Sequence, residues 1–412
     1  MKNKILSIII PIYNSSKFLK QTILSCINKD QISYYEIICV NDNSNDKSLH
    51  IIKEIQKRFN NIKIINNKKN LGVGVTRNVG IKASTGKYIL FLDSDDQIIK
   101  ERIKQVLKLL FKIDNDLIMM NFYNDENEKF LFPKSISSKK NLLKKLTIEQ
   151  SINYCFPYIY KRKFLHQNKI YFEKLRYAED VIFITYVFSL TNKFYRCGFS
   201  LIKHKYNQQG LSSKINLLND SSYLRAIFFL EKFEKKNKNL NKIEKNYIKS
   251  RKKFCFYQFL LRTLTYKIGK IIFHNKTLIK KSGKILLKNN FISNKKNLNI
   301  KTELSKIKKK IFDFLGNDKI SDIAIYGYGV VGKSIEKILI KQNYKNLIFI
   351  DDQKTNKDYK KRILKINSFK KNQIISINRF IVSVPDFSVY KKISKNLENR
   401  GVKKNKIMKY FF

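Results

Sequence analysis

The sequence contains no tryptophan, and its 412 residues include only 4 prolines, 4 histidines and 5 cysteines. The cysteines form no C-x-x-C pair and are odd in number, and the histidines lack the spacing of zinc ligands. We therefore expect reduced thiols, as in a cytosolic protein, and neither a disulfide framework nor a zinc site. Long apolar runs are also missing. Ile5–Ile12 contains Pro11 and is too short for a signal segment, and no other run approaches the about 18 residues of a membrane-spanning helix.

Acidic residues are scarce relative to basic ones. The chain has 85 Lys and Arg against 32 Asp and Glu, which gives a formal net charge of +53. Much of this excess follows from a composition rich in Lys, Asn and Ile and poor in Arg, which is typical of AT-rich genomes. Charge alone is therefore weak evidence for a polyanionic partner. The hydrophobic content of 43% is sufficient for packed cores in two or three domains.

One window has no acidic residue at all. Between Lys245 and Thr302 there is no Asp or Glu, where the average of the chain predicts about four or five. Phe254, Phe256 and Phe259 lie among lysines and arginines there, a composition typical of a helix on an anionic membrane surface. A helical connector with a solvated basic face explains the window equally well, and both interpretations stay open.

The segment Lys87–Asp96, KYILFLDSDD, is the centre of the predicted chemistry. Its apolar residues Tyr88–Leu92 predict a short buried strand that runs directly into Asp93, Asp95 and Asp96. Because clustered carboxylates repel one another, a divalent cation with hard oxygen ligands would stabilise them and could share its remaining positions with a diphosphate. The alternative is a solvated acidic turn, since an isolated D-x-D pattern is common by chance.

The pattern around this segment predicts a parallel, doubly wound sheet. Strands alternate with helices and polar residues follow each strand, so these residues would meet at the carboxyl edge of the sheet. Before the fourth strand, a glycine-rich segment contains Arg77, a bidentate donor for phosphate or a base edge. The predicted strands are Ile5–Ile10, Glu36–Val40, Ile62–Ile65 and Tyr88–Leu92, and the predicted helices are Ser15–Asn28 and Lys47–Phe59.

The motifs SIIIPIYN, EIICVNDNSNDKS and NLGVGVTRNVGIKASTGKYILFLDSDD follow one another in this order. From Ile5 to about Leu110 the chain resembles the nucleotide-binding half of a family 2 glycosyltransferase with the GT-A fold. The resemblance implies that Asp42 hydrogen-bonds the base, that Asp93 lies by the ribose and that Asp95 binds Mn²⁺ or Mg²⁺ at the diphosphate. The residues implied to lie close to the nucleotide are Pro11, Tyr13 and Arg77.

Two neighbouring positions qualify this assignment. Asn41 stands where the family commonly has another Asp. Since an amide both accepts and donates hydrogen bonds, we expect this difference to affect the choice of base more than activity. Asp46 is predicted to cap the helix that begins near Lys47 rather than to bind the donor.

The segment Asn153–Asp180 is rich in aromatic residues and is expected to form the acceptor side, although such residues are more often part of a core. A glycosyl transfer with inversion needs a base that takes the proton of the acceptor hydroxyl. Family 2 enzymes have a Glu-Asp pair at a comparable distance beyond the D-x-D motif, which implies Asp180 as the base and Glu179 as a supporting residue. The alternative is an acidic helix start that compensates the helix dipole. Further on, Lys205–Ser213 resembles the family's loop that closes over the diphosphate, with Asn207 in place of the usual Arg.

A G-x-G-x-x-G fingerprint marks the C-terminal part of the chain, between two predicted strands, Ile323–Tyr326 and Leu347–Ile350. A further strand, Phe380–Val384, is predicted beyond them. The expected unit is a half-size Rossmann domain, similar to those on bacterial sugar-modifying enzymes that hold a nucleotide or nucleotide-sugar. A structural βαβ unit with a tight turn explains the glycines equally well. The residues of this second nucleotide site would be Gly327, Gly329, Gly332 and Asp351.

The sequence thus predicts an α/β protein with three parts. Residues 1–213 would form a GT-A domain, Rossmann-like with a mostly parallel sheet. Residues 214–316 would form a helical basic region, and residues 317–412 a small Rossmann-like α/β domain.

The function implied by the resemblance is inverting, metal-dependent transfer of a sugar from a nucleotide-sugar, most simply a UDP-sugar, to a glycan or lipid-linked glycan. We expect the protein in the cytoplasm, with contact to the anionic inner face of the membrane through the basic region, in the synthesis of capsule, lipooligosaccharide or another surface polysaccharide. Nucleic acid is not an expected partner, because the acidic loops would oppose a phosphate backbone. Two alternatives stay open: a nucleotide-sugar-binding protein without turnover, and a nicotinamide oxidoreductase built on the C-terminal fingerprint.

Overall fold

The chain folds into two compact units. The computed structural model describes residues 4–123, 129–130, 138–149, 154–204, 217–263, 305, 309, 311–315, 321–326, 335–336, 338–340, 342–344, 346–350, 363–383 and 387–409. The first unit comprises residues 1–144, 153–214 and 232–248, and the second comprises residues 145–152, 215–231 and 249–412. The helical region expected over residues 214–316 is therefore divided between the two units.

The first unit is built on a mixed sheet, to which the described residues contribute nine strands. They are β1 (Leu6–Ile12), β2 (Tyr35–Asn41), β3 (Ile62–Asn66), β4 (Tyr88–Phe91), β5 (Gln97–Ile98), β6 (Leu117–Tyr123), β7 (Lys129–Phe130), β8 (Tyr158–Lys161) and β9 (Phe194–Lys203). Their spatial order is β3-β2-β1-β4-β8-β6-β9-β5, and β7 pairs with β6. Strands β1 to β4 pair in parallel as the sequence predicts, whereas β8 and β5 run antiparallel to their neighbours.

The α-helices found in the described part of residues 1–263 are α1 (Ser16–Ser25), α2 (Ser48–Gln56), α3 (Val73–Ala83), α4 (Ile103–Lys112), α5 (Lys139–Glu149), α6 (Arg162–Gln167), α7 (Glu179–Leu190), α8 (Leu217–Lys236) and α9 (Lys242–Thr263). Short 3₁₀ helices cover Lys29–Tyr34 and Lys100–Arg102. Helices α1 and α2 end earlier than the sequence predicts. The residues beyond each of them make tighter bonds to the third residue back, such as Ile27 N to Leu24 O and Phe59 N to Gln56 O.

Strand β1 lies between β2 and β4, so the order of the parallel strands reverses there and a crevice opens at their carboxyl ends. β1 continues through Pro11 to Ile12, beyond its predicted end. Alternate residues of β1 face opposite neighbours, since Ile9 O accepts from Leu92 N and Ile12 O accepts from Asp42 N. Position 11 therefore faces the β4 side, where β4 has already ended. The missing N–H of Pro11 removes no bond of the sheet.

The central strands are covered on both faces. Every residue of β1 and β2 is buried, which is typical of parallel strands packed between helices. Leu19 and Ile23 of α1 and Val106 and Leu110 of α4 pack into this core. All five cysteines are buried and unpaired with one another.

A buried carboxylate fixes the entry to β4. Glu36 Oε1 accepts hydrogen bonds from Ser7 Oγ at 2.6 Å, Thr85 N at 2.6 Å and Thr85 Oγ1 at 2.8 Å. Burial by itself would raise the pKa of Glu36, but these donors lower it below its ordinary value, so the side chain is ionised. Gly86 N donates to Ser7 Oγ at 2.9 Å. Residues of β1 and β2 thus determine where β4 begins, and with it the position of the acidic segment that follows.

The second unit contains a smaller sheet in which every pair of described strands is parallel. Its strands are β10 (Ile323–Tyr326), β11 (Leu347–Ile350), β12 (Ile363–Leu364), β13 (Arg379–Val382) and β14 (Ile407–Lys409), in the order β12-β11-β10-β13-β14. Helices α10 (Lys371–Ser376) and α11 (Phe387–Asn399) lie between the later strands in the chain. The strands predicted at Ile323–Tyr326 and Leu347–Ile350 are confirmed with the same bounds, and the predicted Phe380–Val384 corresponds to β13. This is the small Rossmann-like α/β domain that the sequence predicts.

The described part of the acid-free window lies in α9, and three of its phenylalanine side chains are buried. Phe254, Phe256 and Phe259 are 7%, 0% and 1% exposed. Lys252 is fully buried as well and pairs with Glu231 at 2.5 Å. These rings pack inside the protein and are not available to a membrane surface, and residues 264–302 of the window lie outside the described residues. Within the described ranges, no helix has both the length and the apolar character needed to cross a membrane.

We expect Gly86→Ala to destabilise the first unit. A Cβ atom at Gly86 would lie 2.7 Å from backbone atoms of Leu6 and Ser7, and the backbone of a central strand cannot move aside. The cost is about 2 kcal/mol and would appear as a lower urea midpoint of unfolding. Gly198→Ala is the control, since a Cβ atom there meets nothing within 4 Å. Equal midpoints for the two variants would contradict this account.

Candidate active site

The carboxyl ends of β1, β2 and β4 bring the predicted nucleotide-binding residues to one edge of the sheet. Pro11 is the second-to-last residue of β1, Asp42 directly follows β2, and Asp93 and Asp95 follow β4. Tyr13, just beyond β1, is 47% exposed. Its ring is therefore accessible at the mouth of the crevice, as a residue that contacts a nucleotide must be.

Two hydroxyl groups, one just before α1 and one in its second half, join this helix to the acidic segment. Ser15 Oγ lies 2.6 Å from Ser94 Oγ, and Thr22 Oγ1 donates to the carbonyl of Ser94 at 3.0 Å. Ser94 is the residue between Asp93 and Asp95. The D-x-D segment is therefore held against α1 as well as by its own strand.

Asp42 is 2% exposed and holds the glycine-rich turn that precedes α3. Its Oδ1 atom accepts from Leu71 N at 2.9 Å and from Asn67 Nδ2 at 2.8 Å, and its Oδ2 atom accepts from Gly72 N at 2.9 Å. Gly72 has φ of 87°, a left-handed conformation that favours glycine. The structure thus gives Asp42 a role in shaping this turn, and its contact with the base stays a prediction.

Two polar residues near Asp42 support the loops rather than face the crevice. Asn41 donates through Nδ2 to Asn66 Oδ1 at 3.2 Å and accepts from Ser44 N at 3.3 Å. Asp46 accepts from Ser48 N at 3.0 Å and from Ser16 N at 2.9 Å, so one carboxylate caps both α2 and α1. The prediction that Asp46 is a helix cap is confirmed, and the structure adds the second helix.

Arg77, on α3, is 3% exposed and gathers three carboxylates. Its Nη2 atom donates to Asp93 Oδ1 at 2.7 Å, and its Nη1 atom donates to Asp180 Oδ1 at 2.7 Å and to Glu179 Oε1 at 3.3 Å. The guanidinium also lies 5.2 Å from the ring centroid of Phe172. Burial alone would lower the pKa of Arg77, but Asp180 and the other carboxylates raise it well above its ordinary value. Arg77, which the sequence predicts to lie close to the nucleotide, is therefore the cation that joins the D-x-D segment to the Glu-Asp pair.

Glu179 and Asp180 form the first turn of α7, beside Ala178, whose φ is 64°. Burial, followed by the charge of Asp180, raises the pKa of Glu179 to about 8, against the opposing effect of Arg77. Burial also raises the pKa of Asp180, and Arg77 again opposes it. The Asp180 side chain is the more accessible of the two, 19% exposed against 11% for Glu179. It is therefore the carboxylate better placed to meet an acceptor.

One buried pair at this edge was not predicted from the sequence. Asp96 is 0% exposed, and its Oδ1 atom lies 2.8 Å from His204 Nδ1. Burial raises the pKa of Asp96 to about 6 although His204 opposes it, and the carboxylate raises the pKa of His204 although burial opposes it. The His204 ring also packs 4.9 Å from that of Phe156. The only sequence signal was the place of His204, directly before the loop that resembles the family's closing loop.

The acidic residues suit a cation that is shared with a substrate. In the part of the chain that the structure describes, no group of three or more His, Cys, Asp or Glu side chains could hold a metal ion by itself. Asp93 is already bound to Arg77, and the partly exposed Asp95 stands two residues further along. A hard carboxylate donor at an open edge fits Mn²⁺ or Mg²⁺ that takes its other ligands from water and a diphosphate.

Several predicted residues lie outside the described residues. They are Gly327, Gly329, Gly332 and Asp351 of the second nucleotide site and the loop Lys205–Ser213. The structure brings together Asp93, Arg77, Glu179 and Asp180 by direct bonds, and it places Pro11, Tyr13, Asp42 and Asp95 at the same sheet edge.

Two parts of the chain match known protein families. Residues 7–169 match the family "Glycosyl transferase family 2", and residues 322–397 match the "PglD N-terminal domain". The resemblance stated from the sequence is thereby confirmed, including a C-terminal domain of its own.

Curated relatives match somewhat less than half of the chain. The poly(ribitol-phosphate) beta-N-acetylglucosaminyltransferase TarP of Staphylococcus aureus is 35% identical over 201 residues, which are 47% of this chain and 59% of TarP. The poly(ribitol-phosphate) beta-glucosyltransferase of Bacillus spizizenii is 32% identical over 182 residues, which are 43% of this chain and 28% of that enzyme. In both cases the match spans less than two thirds of the relative's own length.

A solved structure supports the fold. The crystal structure of S. aureus TarS 1-349 in complex with UDP-GlcNAc has a TM-score of 0.50 at 20% identity and covers 68% of this chain and 80% of that one. At this identity the likeness shows the α/β fold alone.

We expect Glu179→Gln to change the pH dependence of stability. The folded state holds the Glu179 proton up to a pKa of about 8, against an ordinary value of 4.5, so folding takes up a proton between these values. The stability due to this group is present below about pH 4.5 and is lost as pH rises toward about 8. The variant cannot ionise, so its urea midpoint relative to the wild type should rise steadily across this window. Glu101→Gln, at an exposed position, is the control, and parallel curves for the wild type and Glu179→Gln would refute the assignment.

Removing the cation from this cluster should be strongly destabilising. Arg77→Met leaves three partly buried carboxylates without their donor, and breaking a buried ion pair from one side costs about 3–5 kcal/mol. Since protonation relieves the repulsion, the loss in thermal midpoint should be larger at pH 8 than at pH 5. Arg58→Met, on an exposed arginine, controls for loss of charge. A loss that does not depend on pH would mean that Arg77 acts through packing alone.

Proposed function

We propose, from the match of residues 7–169 to the family "Glycosyl transferase family 2", that this chain transfers a sugar from a nucleoside diphosphate to a hydroxyl group of a glycan, with inversion. The observation that carries the proposal is the position of Arg77. It joins Asp93, on the donor side, directly to Glu179 and Asp180, on the acceptor side. Groups for both substrates therefore lie within one crevice, as a single displacement requires.

The donor side is formed by the ends of β1, β2 and β4. Tyr13 presents an exposed ring, and Pro11 and the turn held by Asp42 lie at the same edge. We propose a UDP-sugar as donor, which is supported by the shared fold of TarS in its complex with UDP-GlcNAc. Asp93 would lie by the ribose, with its orientation fixed by Arg77.

We propose that Asp95 holds Mn²⁺ or Mg²⁺ at the diphosphate. When bound, such a cation offsets the negative charge that develops on the leaving diphosphate. The protein's own part is to keep the Asp95 carboxylate at the open edge. It does so through the neighbouring Ser94, which makes hydrogen bonds with Ser15, just before α1, and with Thr22 of α1.

On the acceptor side, Asp180 would take the proton of the attacking hydroxyl as the new bond forms. A raised pKa makes it a stronger proton acceptor than an ordinary Asp. Glu179, with a pKa of about 8, is protonated at neutral pH. It therefore adds no second negative charge beside the base, which keeps Asp180 ionised and ready to accept the proton.

We further propose a bacterial surface glycan as acceptor. The named relatives are poly(ribitol-phosphate) glycosyltransferases, so a phosphate-containing polymer joins capsule and lipooligosaccharide among the candidate glycans. The reaction would take place in the cytoplasm, where nucleotide-sugars are available, with lipid-linked acceptors at the inner face of the membrane. A nucleotide-sugar-binding protein without turnover is the alternative that the assay below separates.

The proposal is tested by release of nucleoside diphosphate from a panel of nucleotide-sugars, with water as the acceptor. We expect turnover with one donor that requires Mn²⁺ or Mg²⁺ and stops on addition of EDTA. Asp95→Ala should lower the rate at least about 100-fold, and Asp180→Asn should lower it by about 100- to 10,000-fold because a general base is lost. Asp30→Ala, an exposed acid between α1 and β2, should leave the rate unchanged.

The outcomes separate the alternatives. Donor binding without turnover by the wild type would favour the non-catalytic protein, and no binding of any nucleotide-sugar would overturn the proposal. If neither EDTA nor Asp95→Ala changed the turnover, the metal ion would be removed from the proposed mechanism, and the proposed sugar transfer would remain.

A further inference from the structure

Asn78, which follows Arg77 on α3, makes two hydrogen bonds with the backbone of Phe172. Its Nδ2 atom donates to the Phe172 carbonyl at 2.8 Å, and its Oδ1 atom accepts from the Phe172 N–H at 2.9 Å. The two residues are 94 positions apart in the chain. A carboxamide can donate and accept at the same time, so this one side chain satisfies both backbone polar groups of Phe172, as a neighbouring strand would.

The segment that Asn78 holds has no regular secondary structure. It connects the end of α6 to the start of α7, and its residues 168–178, which the structure describes throughout, belong to no helix or strand. Without a repeating ladder of backbone bonds, the course of such a segment depends on individual contacts with side chains. The bonds from Asn78 therefore fix where Phe172 lies relative to α3.

The Phe172 ring lies between Arg77 and the elements that carry its carboxylate partners. The ring is 4% exposed, and its centroid lies 5.2 Å from the Arg77 guanidinium. It stacks on Phe183 of α7 with 3.9 Å between centroids, and it lies edge-on to Phe91, the last residue of β4, at 5.2 Å. Strand β4 leads into Asp93, and α7 begins with the Glu-Asp pair. A shift of Phe172 would therefore disturb the cation and both of these elements together.

Helix α3 approaches the same segment one turn before Asn78. Gly74 and Asn78 are four residues apart and so lie on one face of the helix. A Cβ atom at Gly74 would lie 3.2 Å from Phe172 Cβ and 3.2 Å from Glu179 Cγ. The helix backbone is thus in close contact with the segment, and the Asn78 carboxamide sets the register of that contact.

We infer that Asn78 is a positioning residue for the transfer reaction: by fixing the backbone of Phe172, it sets the position of the Arg77 guanidinium and of the carboxylates bonded to it. The inference rests on the proposed function. Asn78 contacts no substrate in this scheme, and the proton of the acceptor hydroxyl passes to Asp180. Position matters here because misplacement of a catalytic group by about 1 Å can cost about 100-fold in rate.

The first unit contains a matched carboxamide that serves as a control. Gln56, at the end of α2, donates through Nε2 to the carbonyl of Ile62 at 3.0 Å. Ile62 is the first residue of β3, so this bond lies at the amino edge of the parallel strands, whereas the candidate site lies at their carboxyl edge. Gln56 and Asn78 are both half-buried. Gln56→Ala therefore removes a comparable bond to the backbone without touching the site.

The experiment measures two properties of the full-length protein. One is hydrogen exchange at the Phe172 amide, followed by mass spectrometry of the peptide that contains it. The other is release of nucleoside diphosphate from the donor that the wild type uses. Asn78→Ala should speed the exchange about tenfold, because the amide loses its acceptor. It should lower kcat about tenfold and leave the KM for the donor within about twofold.

The control separates this effect from a general loss of stability. Gln56→Ala should lower the thermal midpoint by a similar amount, but it should leave kcat within about twofold and exchange at Phe172 unchanged. If both variants have the same kcat, the inference is overturned.

A double variant tests whether Asn78 acts through Phe172. Phe172→Leu removes the ring that packs on Arg77 and keeps the backbone groups that Asn78 binds. If the ring carries the effect, adding Asn78→Ala to Phe172→Leu should lower kcat by less than about threefold further. Effects on kcat that multiply in full would mean that Asn78 acts by another route and would contradict the inference.

A second comparison covers the case in which Asn78→Ala does not fold. Asn78→Gln moves the carboxamide out by one methylene group and Gln56→Asn moves the control carboxamide in by one, and only the first should lower kcat. Equal kcat values for these two variants would again overturn the inference. A wild type without turnover on any donor would instead remove the proposed function, and this inference with it, so the two failures are distinguishable.

Discussion

One buried guanidinium holds the carboxylates of the candidate site in place. Arg77 pairs with a residue 16 positions away and with two others 102 and 103 positions away in the chain. Carboxylates that are mostly removed from water repel one another unless a cation lies between them. The apolar support is Phe172, which lies under Arg77 and stacks on Phe183 of α7 at 3.9 Å. The end of β4 and the start of α7 are therefore aligned by one ion and one pair of rings.

The acidic residues of the first unit differ in charge according to what surrounds them. Glu36 and Asp46 accept several hydrogen bonds from hydroxyl and backbone donors, and the pKa of each is lowered despite burial. Glu179 and Asp96 lie at the carboxyl edge with fewer neutral donors, and burial raises the pKa of each. Glu36 and Asp46 thus fix loops and helix starts as ionised groups, whereas Glu179 and Asp96 hold their protons more strongly. Under the proposed function, this division would suit a site that accepts a proton next to a diphosphate.

The local features of the fold were predictable from the sequence. Short apolar runs such as Ile323–Tyr326 and Tyr88–Leu92 predict strands, since the apolar pattern and its length are contained within each run. The acidic segment after β4 could likewise be assigned to the carboxyl edge. The predicted ends of the helices were less accurate. The residues after α1 and α2 form hydrogen bonds to the third residue back, and no residue type in the sequence indicates this change. The extension of β1 through Pro11 depends on where β4 ends. That position cannot be predicted from the residues of β1 alone.

The pairings across the site could not be predicted in the same way. Nothing near Arg77 indicates that its partners are carboxylates rather than phosphate, since either would suit a guanidinium. The bond between Asp96 and His204 joins residues 108 positions apart. Such contacts follow from the packing of β8, β9 and α7 against β4, so they become visible only in three dimensions. Family resemblance supplied the roles of Asp95 and Asp180, and geometry supplied the groups that support them.

The double cap at Asp46 has a consequence for how the crevice opens. One carboxylate accepts the first N–H group of α1 and that of α2, so neither helix can fray at its start without weakening the cap of the other. Local opening in proteins occurs in cooperative units of this kind. The loops after β1 and β2, which border the crevice, are therefore expected to open and exchange amide hydrogens as a single unit. Donor entry and product release on this side would then depend on one fluctuation rather than two.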